Sequence, residues 1–76
     1  MGAYWNPHMK ERIINEVYAL RSRGAVTQED LASAVGVSRQ TVIAIEKGNY
    51  TPSVHLALKL AQYFKVPVEK LFKLKS

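Results

Sequence analysis

The sequence predicts an all-α fold on three observations. Start and stop signals for short helices recur along the chain, apolar residues fall at helical spacing, and two of the segments are separated by only a three-residue glycine turn. The clearest stretch is Thr27 to Gly48, TQEDLASAVGVSRQTVIAIEKG. Thr27 is placed to cap free backbone N–H groups, and Asp30 puts negative charge in the first turn, where the helix dipole favours it. Leu31, Ala32 and Val35 gather on one face. Gly36 can take the left-handed conformation that ends a helix, and Ser38 can cap the next one. Two helices crossing steeply over so short a turn leave little room at their contact, and Ala32 is a small residue for that position.

The second helix of this pair has two chemically different sides. At about 100° per residue, with Val42 directed at the core, Ile45 and Glu46 fall within about 60° of it, while Gln40, Ile43, Ala44 and Lys47 lie opposite. The outer side offers an amide able to pair bidentately with adenine, an apolar patch suited to a thymine methyl and a cation for phosphate. Arg39 stands at its N-terminal edge, within reach of a guanine. These are groove-reading chemistries. The alternative is a solvated helix face carrying one stray isoleucine.

The run TQEDLASAVGVSRQTVIAIEKG, followed by NYTPS and LALKLAQYFKVPVEKLF, resembles the phage-repressor (Cro and lambda repressor, Xre-type) helix-turn-helix family. The match runs from about Met9 to Phe72, and it is carried by the TQEDLA, GVSRQTV, IEKG and TPS segments together. It implies a compact five-helix, lambda repressor-like DNA-binding domain acting as a homodimeric transcription regulator, usually a repressor, on a palindromic operator. Base reading is then expected from Arg39, Gln40, Thr41, Ile43 and Ala44, with phosphate contacts from Gln28, Ser38, Lys47, Asn49, Tyr50 and Thr51. Gln28 matches a phosphate-binding glutamine of the family and sits at a helix N-terminus, which favours an anion.

A first helix is expected from about Met9 or Lys10 to Arg23, because Ile13, Ile14, Val17 and Leu20 recur at helical spacing and Gly24 supplies a stop. Arg21 shares that stripe, which places a guanidinium beside the core, where it is costly unless paired. Glu46, on the inward side of its helix, is the expected partner, and the two match the family's structural ion pair. Lys47 to Pro52 reads as a loop. Ser53 is expected to cap a fourth helix with Val54, Ala57, Leu58, Ala61 and Phe64 as its apolar stripe, widened by Leu56, Leu60 and Tyr63, and with His55, Lys59 and Gln62 as its polar one. Pro67 suits the first turn of a short last helix containing Leu71 and Phe72. Leu71, Phe72 and Leu74 are the expected dimer interface, as the resemblance implies; ordinary packing against the first helix is the alternative.

At 76 residues the chain is one domain near the lower size limit for a core without disulfides or metal. It has no cysteine, which excludes a disulfide scaffold and a zinc finger and is compatible with a reducing cytoplasm. No metal or cofactor is expected, and no apolar run approaches a membrane span. A net charge of +5 and a pI near 9.8 suggest an anionic partner, nucleic acid first and a membrane surface second; charge alone does not choose between them, and the resemblance implies double-stranded DNA. His8 and His55 build no catalytic constellation, so an enzyme is not expected. Residues 1–8, MGAYWNPH, depart from the family's short start and read as an extension, with Tyr4 and Trp5 packing on the domain or a neighbour. Residues 9–76 form the DNA-binding domain and its dimerisation segment. Two further departures are Gly24-Ala25, in place of a charged residue followed by glycine, and the apolar Ile43, where related chains often carry a small polar residue. A binding module for an acidic protein, or an antitoxin with a toxin partner, are the competing readings.

Overall fold

The structure, a computed structural model, describes residues 12–75, in the order β1 (Arg12–Asn15), α1 (Val17–Arg23), α2 (Gln28–Val35), α3 (Arg39–Glu46), α4 (Val54–Phe64), α5 (Val68–Leu71) and β2 (Phe72–Lys75). The expected extension over residues 1–8, Tyr4 and Trp5 within it, and a helix start at Met9 or Lys10 lie outside the described residues. Five helices surround one core, to which Val17, Leu31, Ala32, Val35, Val42, Ile45, Leu56, Leu60, Ala61 and Leu71 contribute, so that every helix buries at least one side chain.

The two strands correct the expectation for both ends of the domain. Ile13 and Ile14 are not the first turns of a helix; they lie on β1, which pairs antiparallel with β2 in the register Arg12–Lys75, Ile13–Leu74, Ile14–Lys73 and Asn15–Phe72. Adjacent β-branched residues favour this pleated setting. Phe72-Lys73-Leu74-Lys75 alternates apolar and charged residues at the period of a strand. Phe72 therefore leaves the last helix, which ends at Leu71, and Pro67 stands immediately before its first residue. Helix α1 begins only at Val17, where the Asn15 side chain supplies a start: its Oδ1 accepts from the Val17 N–H at 3.1 Å.

Helix α4 is capped by Ser53, whose hydroxyl accepts from the Leu56 N–H at 3.1 Å. Its buried side is rotated by roughly 80° from the expected stripe, towards the side where Leu56 and Leu60 widen it. Leu56, Leu60 and Ala61 are buried, whereas Val54 and Leu58 face outward at 76% and 52% exposure. The helix is apolar over so much of its circumference that its own pattern does not fix which side faces the core.

One closing device recurs in four helices. Just past each helix a backbone N–H donates to the carbonyl five residues earlier: Val26 to Arg21, Val37 to Ala32, Asn49 to Ala44 and Val66 to Ala61, at 2.9–3.1 Å. A second bond lies inside each: Ala25 to Ser22, Gly36 to Ser33, Gly48 to Ile45 and Lys65 to Gln62. This Schellman pattern requires a left-handed residue, supplied by Gly36 (φ 77°) and Gly48 (φ 79°) in two helices, but by Ala25 (φ 57°) and Lys65 (φ 58°) in the others. Helix α1 ends at Arg23 as expected, yet Gly24 (φ −86°) does not make the turn; Ala25 does.

Between α1 and α3 stands the one ion pair among the described residues. Arg21 Nε donates to Glu46 Oε2 at 2.6 Å and Arg21 Nη2 to Glu46 Oε1 at 3.2 Å, with the two side chains only 13% and 6% exposed. The remaining valences are filled: Arg21 Nη1 donates to the Val26 carbonyl at 2.9 Å, and Gln28 Nε2 to Glu46 Oε1 at 3.0 Å. The guanidinium also lies 5.4 Å from the centroid of the Tyr18 ring. Its hydrogen bonds to Glu46 raise the Arg21 pKa above its ordinary value against the opposing effect of burial. The arginine therefore stays charged at any working pH.

Two stability predictions follow from these contacts. Arg21→Ala leaves a buried carboxylate unpaired, a change that costs about 3–5 kcal/mol. In a domain of this size that lowers Tm by more than about 10 °C in thermal denaturation, whereas replacing the pair together (Arg21→Met with Glu46→Leu) recovers at least half of the loss. Ala25→Gly removes a left-handed strain of about 1–2 kcal/mol and adds an entropy penalty of about 0.5–1 kcal/mol, so Tm should rise by a few degrees. A fall in Tm would contradict the strain assigned to this turn.

Candidate nucleic-acid interface

Helix α3 is held at both ends and along one side. At its N-terminus the Ser38 hydroxyl accepts from the Thr41 N–H at 3.2 Å, and the two hydroxyls, Ser38 Oγ and Thr41 Oγ1, share a hydrogen bond of 3.1 Å. At its C-terminus Asn15 Nδ2 donates to the Ile45 carbonyl at 2.8 Å. Sequence reasoning missed Asn15, which ties β1, the start of α1 and the end of α3 together with a single amide. Its place between Ile14 and Val17 of the apolar stripe makes it look like helix interior in the sequence. Along the inner side, Val42 and Ile45 are each 1% exposed against Leu31, Ala32 and Val35 of α2. Ala32, at 3% exposure, belongs to the same buried cluster.

The turn between α2 and α3 is built as its residues suggest. Thr27 Oγ1 accepts from the Asp30 N–H at 2.9 Å to start α2, and Gly36 ends it in the left-handed region. Lys59 of α4 reaches towards this turn, its Nζ 3.5 Å from where a side-chain carbon on Gly36 would lie. That places a cation near the carbonyl end of α2, where the helix dipole favours it.

With Val42 and Ile45 inward, the opposite edge of α3 is presented to solvent. Arg39 and Gln40 are exposed, and Thr41, Ile43 and Ala44 are half-buried. Lys47, Asn49, Tyr50 and Thr51 continue this surface along the α3–α4 loop, all exposed. Glu46, the one carboxylate of α3, is turned inward and engaged by three donor hydrogens, so α3 itself presents no acid on its outward edge; Glu29 of α2 shares a cleft with Arg39.

Two of the expected phosphate ligands have a prior engagement. Ser38 is the cap of α3, and Gln28 uses one amide hydrogen on Glu46; the second hydrogen of that NH2 group remains for another acceptor. Gln28 shares an open cleft of about 470 Å³ with Arg21, Thr27, Glu29 and Arg39. A second cleft, of about 680 Å³, separates β1 from the α3–α4 loop, with Arg12 and Ile13 on one wall and Lys47, Gly48 and Thr51 on the other. Of the expected interface residues, Leu71 is a correction. It is 0% exposed within the chain and its carbonyl accepts from the Glu16 N–H at 2.9 Å, so it has no surface to give a partner. Phe72 is half-buried against the core, and Leu74 is 70% exposed.

Among the described residues no group of three His, Cys, Asp or Glu side chains is placed to hold a metal ion, and no helix is long and apolar enough to cross a membrane.

This geometry has relatives. A helix-turn-helix family model (HTH_3) matches residues 17–71, from the first residue of α1 to the last of α5. The chain is 53% identical over 58 residues to an HTH-type transcriptional regulator of Methanocaldococcus jannaschii, a match covering 76% of this chain and 88% of that one. It is 33% identical over 57 residues to the cryptic phage CTXphi transcriptional repressor RstR of Vibrio cholerae, covering 75% of this chain and 51% of the relative. The restriction-modification controller protein C.AhdI of Aeromonas hydrophila superposes with a TM-score of 0.68 at 29% identity, covering 72% of this chain and 83% of that one. The capped α2–α3 pair, its outward cationic edge and these matches have one explanation: the chain belongs to the helix-turn-helix family of Xre- and phage-repressor-like proteins, and is a DNA-binding transcription regulator.

Proposed function

We propose that the protein is a repressor that binds a palindromic duplex operator as a homodimer, with α3 of each copy in successive major grooves about 34 Å apart. The observation that carries this reading is the outward edge of α3, where Arg39 and Gln40 stand exposed beside half-buried Ile43 and Ala44. In the proposed complex Arg39 pairs with a guanine and Gln40 with an adenine. Thr41 and Ala44 line the same edges, and Ile43 packs on a thymine methyl. Lys47, Asn49, Tyr50 and Thr51 hold phosphates from the loop, with Gln28 and Ser38 at the N-terminal ends of α2 and α3, and these contacts fix the register.

A two-fold partner would meet the exposed apolar tail. Leu74 lies directly across the sheet from Ile13, itself 37% exposed, and Phe72 lies beside them; Leu71 is no part of this surface. Bound protein then obstructs polymerase where the operator overlaps a promoter, the outcome suggested by the repressor among the relatives. The reading places the protein with the DNA of a prokaryotic cytoplasm or of a phage.

Selection from a random duplex library should enrich a palindromic sequence, and its absence at every salt concentration would overturn the reading; sedimentation showing only monomer at micromolar concentration would remove the dimer. Against the enriched operator, Gln40→Ala should lose about 10- to 100-fold affinity, equivalent to about 1–3 kcal/mol, and relax the preference at one base pair per half-site. Lys47→Ala should weaken binding evenly across sequences and lower the slope of log K against log salt by about 1. Ile43→Ser should change the preferred base at one position, and an unchanged operator would remove its contact with a thymine methyl.

A further inference from the structure

The β1–β2 ribbon carries a charge arrangement that neither the core nor the outward edge of α3 explains. Side chains alternate along each strand and directly opposed residues share a face. Asn15 and Phe72, with Ile13 and Leu74, therefore occupy one face, and Arg12, Ile14, Lys73 and Lys75 the other. Three of those four residues are cations. Arg12 stands directly opposite Lys75, an arrangement of like charges that destabilises a strand pair. Among the described residues the one ion pair is Arg21–Glu46, so none of the three has a described carboxylate in ion-pairing range. A two-stranded ribbon is marginal in water by itself, and like charges set directly opposite each other weaken it further.

The ribbon is fastened to the base-reading helix. Asn15, the last residue of β1, donates to the Ile45 carbonyl at the end of α3, and Arg12 lines the same cleft as Lys47, Gly48 and Thr51. Arg12 thus stands across this cleft from Lys47, and Lys75 is its direct partner on the neighbouring strand. Residues 73 and 75 on an extended strand are about 6.6 Å apart along its axis. That is close to two steps of axial rise along one DNA strand, at about 3.4 Å per phosphate.

We propose that the ribbon is a second DNA contact, in which Arg12, Lys73 and Lys75 hold backbone phosphates next to those held by the α3–α4 loop. It rests on the DNA-binding reading and adds a site to it. The contact carries no base information; it adds affinity at every sequence, and its like charges are relieved only when duplex is bound.

The test is the triple variant Arg12→Gln, Lys73→Gln and Lys75→Gln, compared with a control that removes the same number of exposed cations elsewhere (Arg23→Gln, Lys65→Gln and Lys70→Gln). Each is titrated with operator duplex across a range of salt. The expected result is a salt slope smaller by about 2–3 in the ribbon variant and by less than about 1 in the control, since each phosphate contact contributes about 0.9. The ranking of operator sequences should be unchanged, and Tm without DNA equal to or above that of the parent. An unchanged slope in the ribbon variant, or an equal drop in the control, would overturn the proposal. Failure of the parent to bind any duplex would instead remove the DNA-binding reading itself.

Discussion

The carboxylate of Glu46 is the point on which the arrangement of the helix pair depends. Three donor hydrogens converge on it, two from Arg21 of α1 and one from Gln28 of α2, so one group on α3 registers three helices at once. The apolar contacts beneath it, Val42 and Ile45 on Leu31, Ala32 and Val35, supply attraction but little direction, because methyl groups tolerate sliding and small rotations. A bidentate guanidinium–carboxylate pair tolerates neither. The packing therefore brings α3 against the domain, and the polar cluster fixes how far it is turned about its own axis. Replacing such a pair by apolar residues is often neutral for stability, so orientation is a better reason for its presence than net free energy.

Rotation of α3 matters because its outer edge is narrow. Gln40, Ile43 and Ala44 share that edge only while Val42 and Ile45 remain inward, and a turn of one residue's worth, about 100°, would bring Glu46 out and take Gln40 away. The helix is accordingly restrained at each end as well: Ser38 caps it, and Asn15 holds the Ile45 carbonyl. Side chains meant to meet base edges need placement to within about 0.5 Å, and such placement comes from surrounding contacts of this kind.

The parts of the fold legible in the sequence were those encoded by local chemistry. Thr27, Ser38 and Ser53 announced helix starts and Gly36 a helix end, since a cap needs only a neighbouring N–H or an unhindered left-handed residue. The partnership of Arg21 with Glu46 could be anticipated because a charge on an apolar stripe demands a counter-charge. The parts misread were those where neighbours far along the chain decide. Ile13, Ile14 and Val17 fit a helical period, and only pairing with Phe72-Lys73-Leu74-Lys75, some sixty residues later, makes a strand of the first two. The alternation in that tail was a visible strand signal, yet a four-residue pattern at a terminus is weak without its partner. Helix α4, apolar nearly all round, buries Leu56, Leu60 and Ala61 from within the expected arc, with Val54 and Leu58 of that arc facing outward. The outward edge of α3 was legible from its period alone, whereas the amide of Asn15 required the strand to be known first.

The same pairings also set where charge lies. Arg21 and Glu46 neutralise each other inside, which removes one acid from the neighbourhood of the outward edge and leaves Arg39 and Lys47 to define its potential. Had Glu46 faced outward, a carboxylate would stand beside the phosphates and oppose the long-range attraction that a net charge of +5 provides. The buried pair therefore has an electrostatic consequence beyond geometry: it lets a short helix keep an acidic residue for registry without presenting it to an anionic partner. The closed helix ends act in the same direction, because carbonyls of α1 to α4 that would otherwise face solvent are bonded back by the turn that follows. Sequestering these acceptors while Arg39 and Lys47 stay exposed leaves the outward edge of α3 itself without an acidic group.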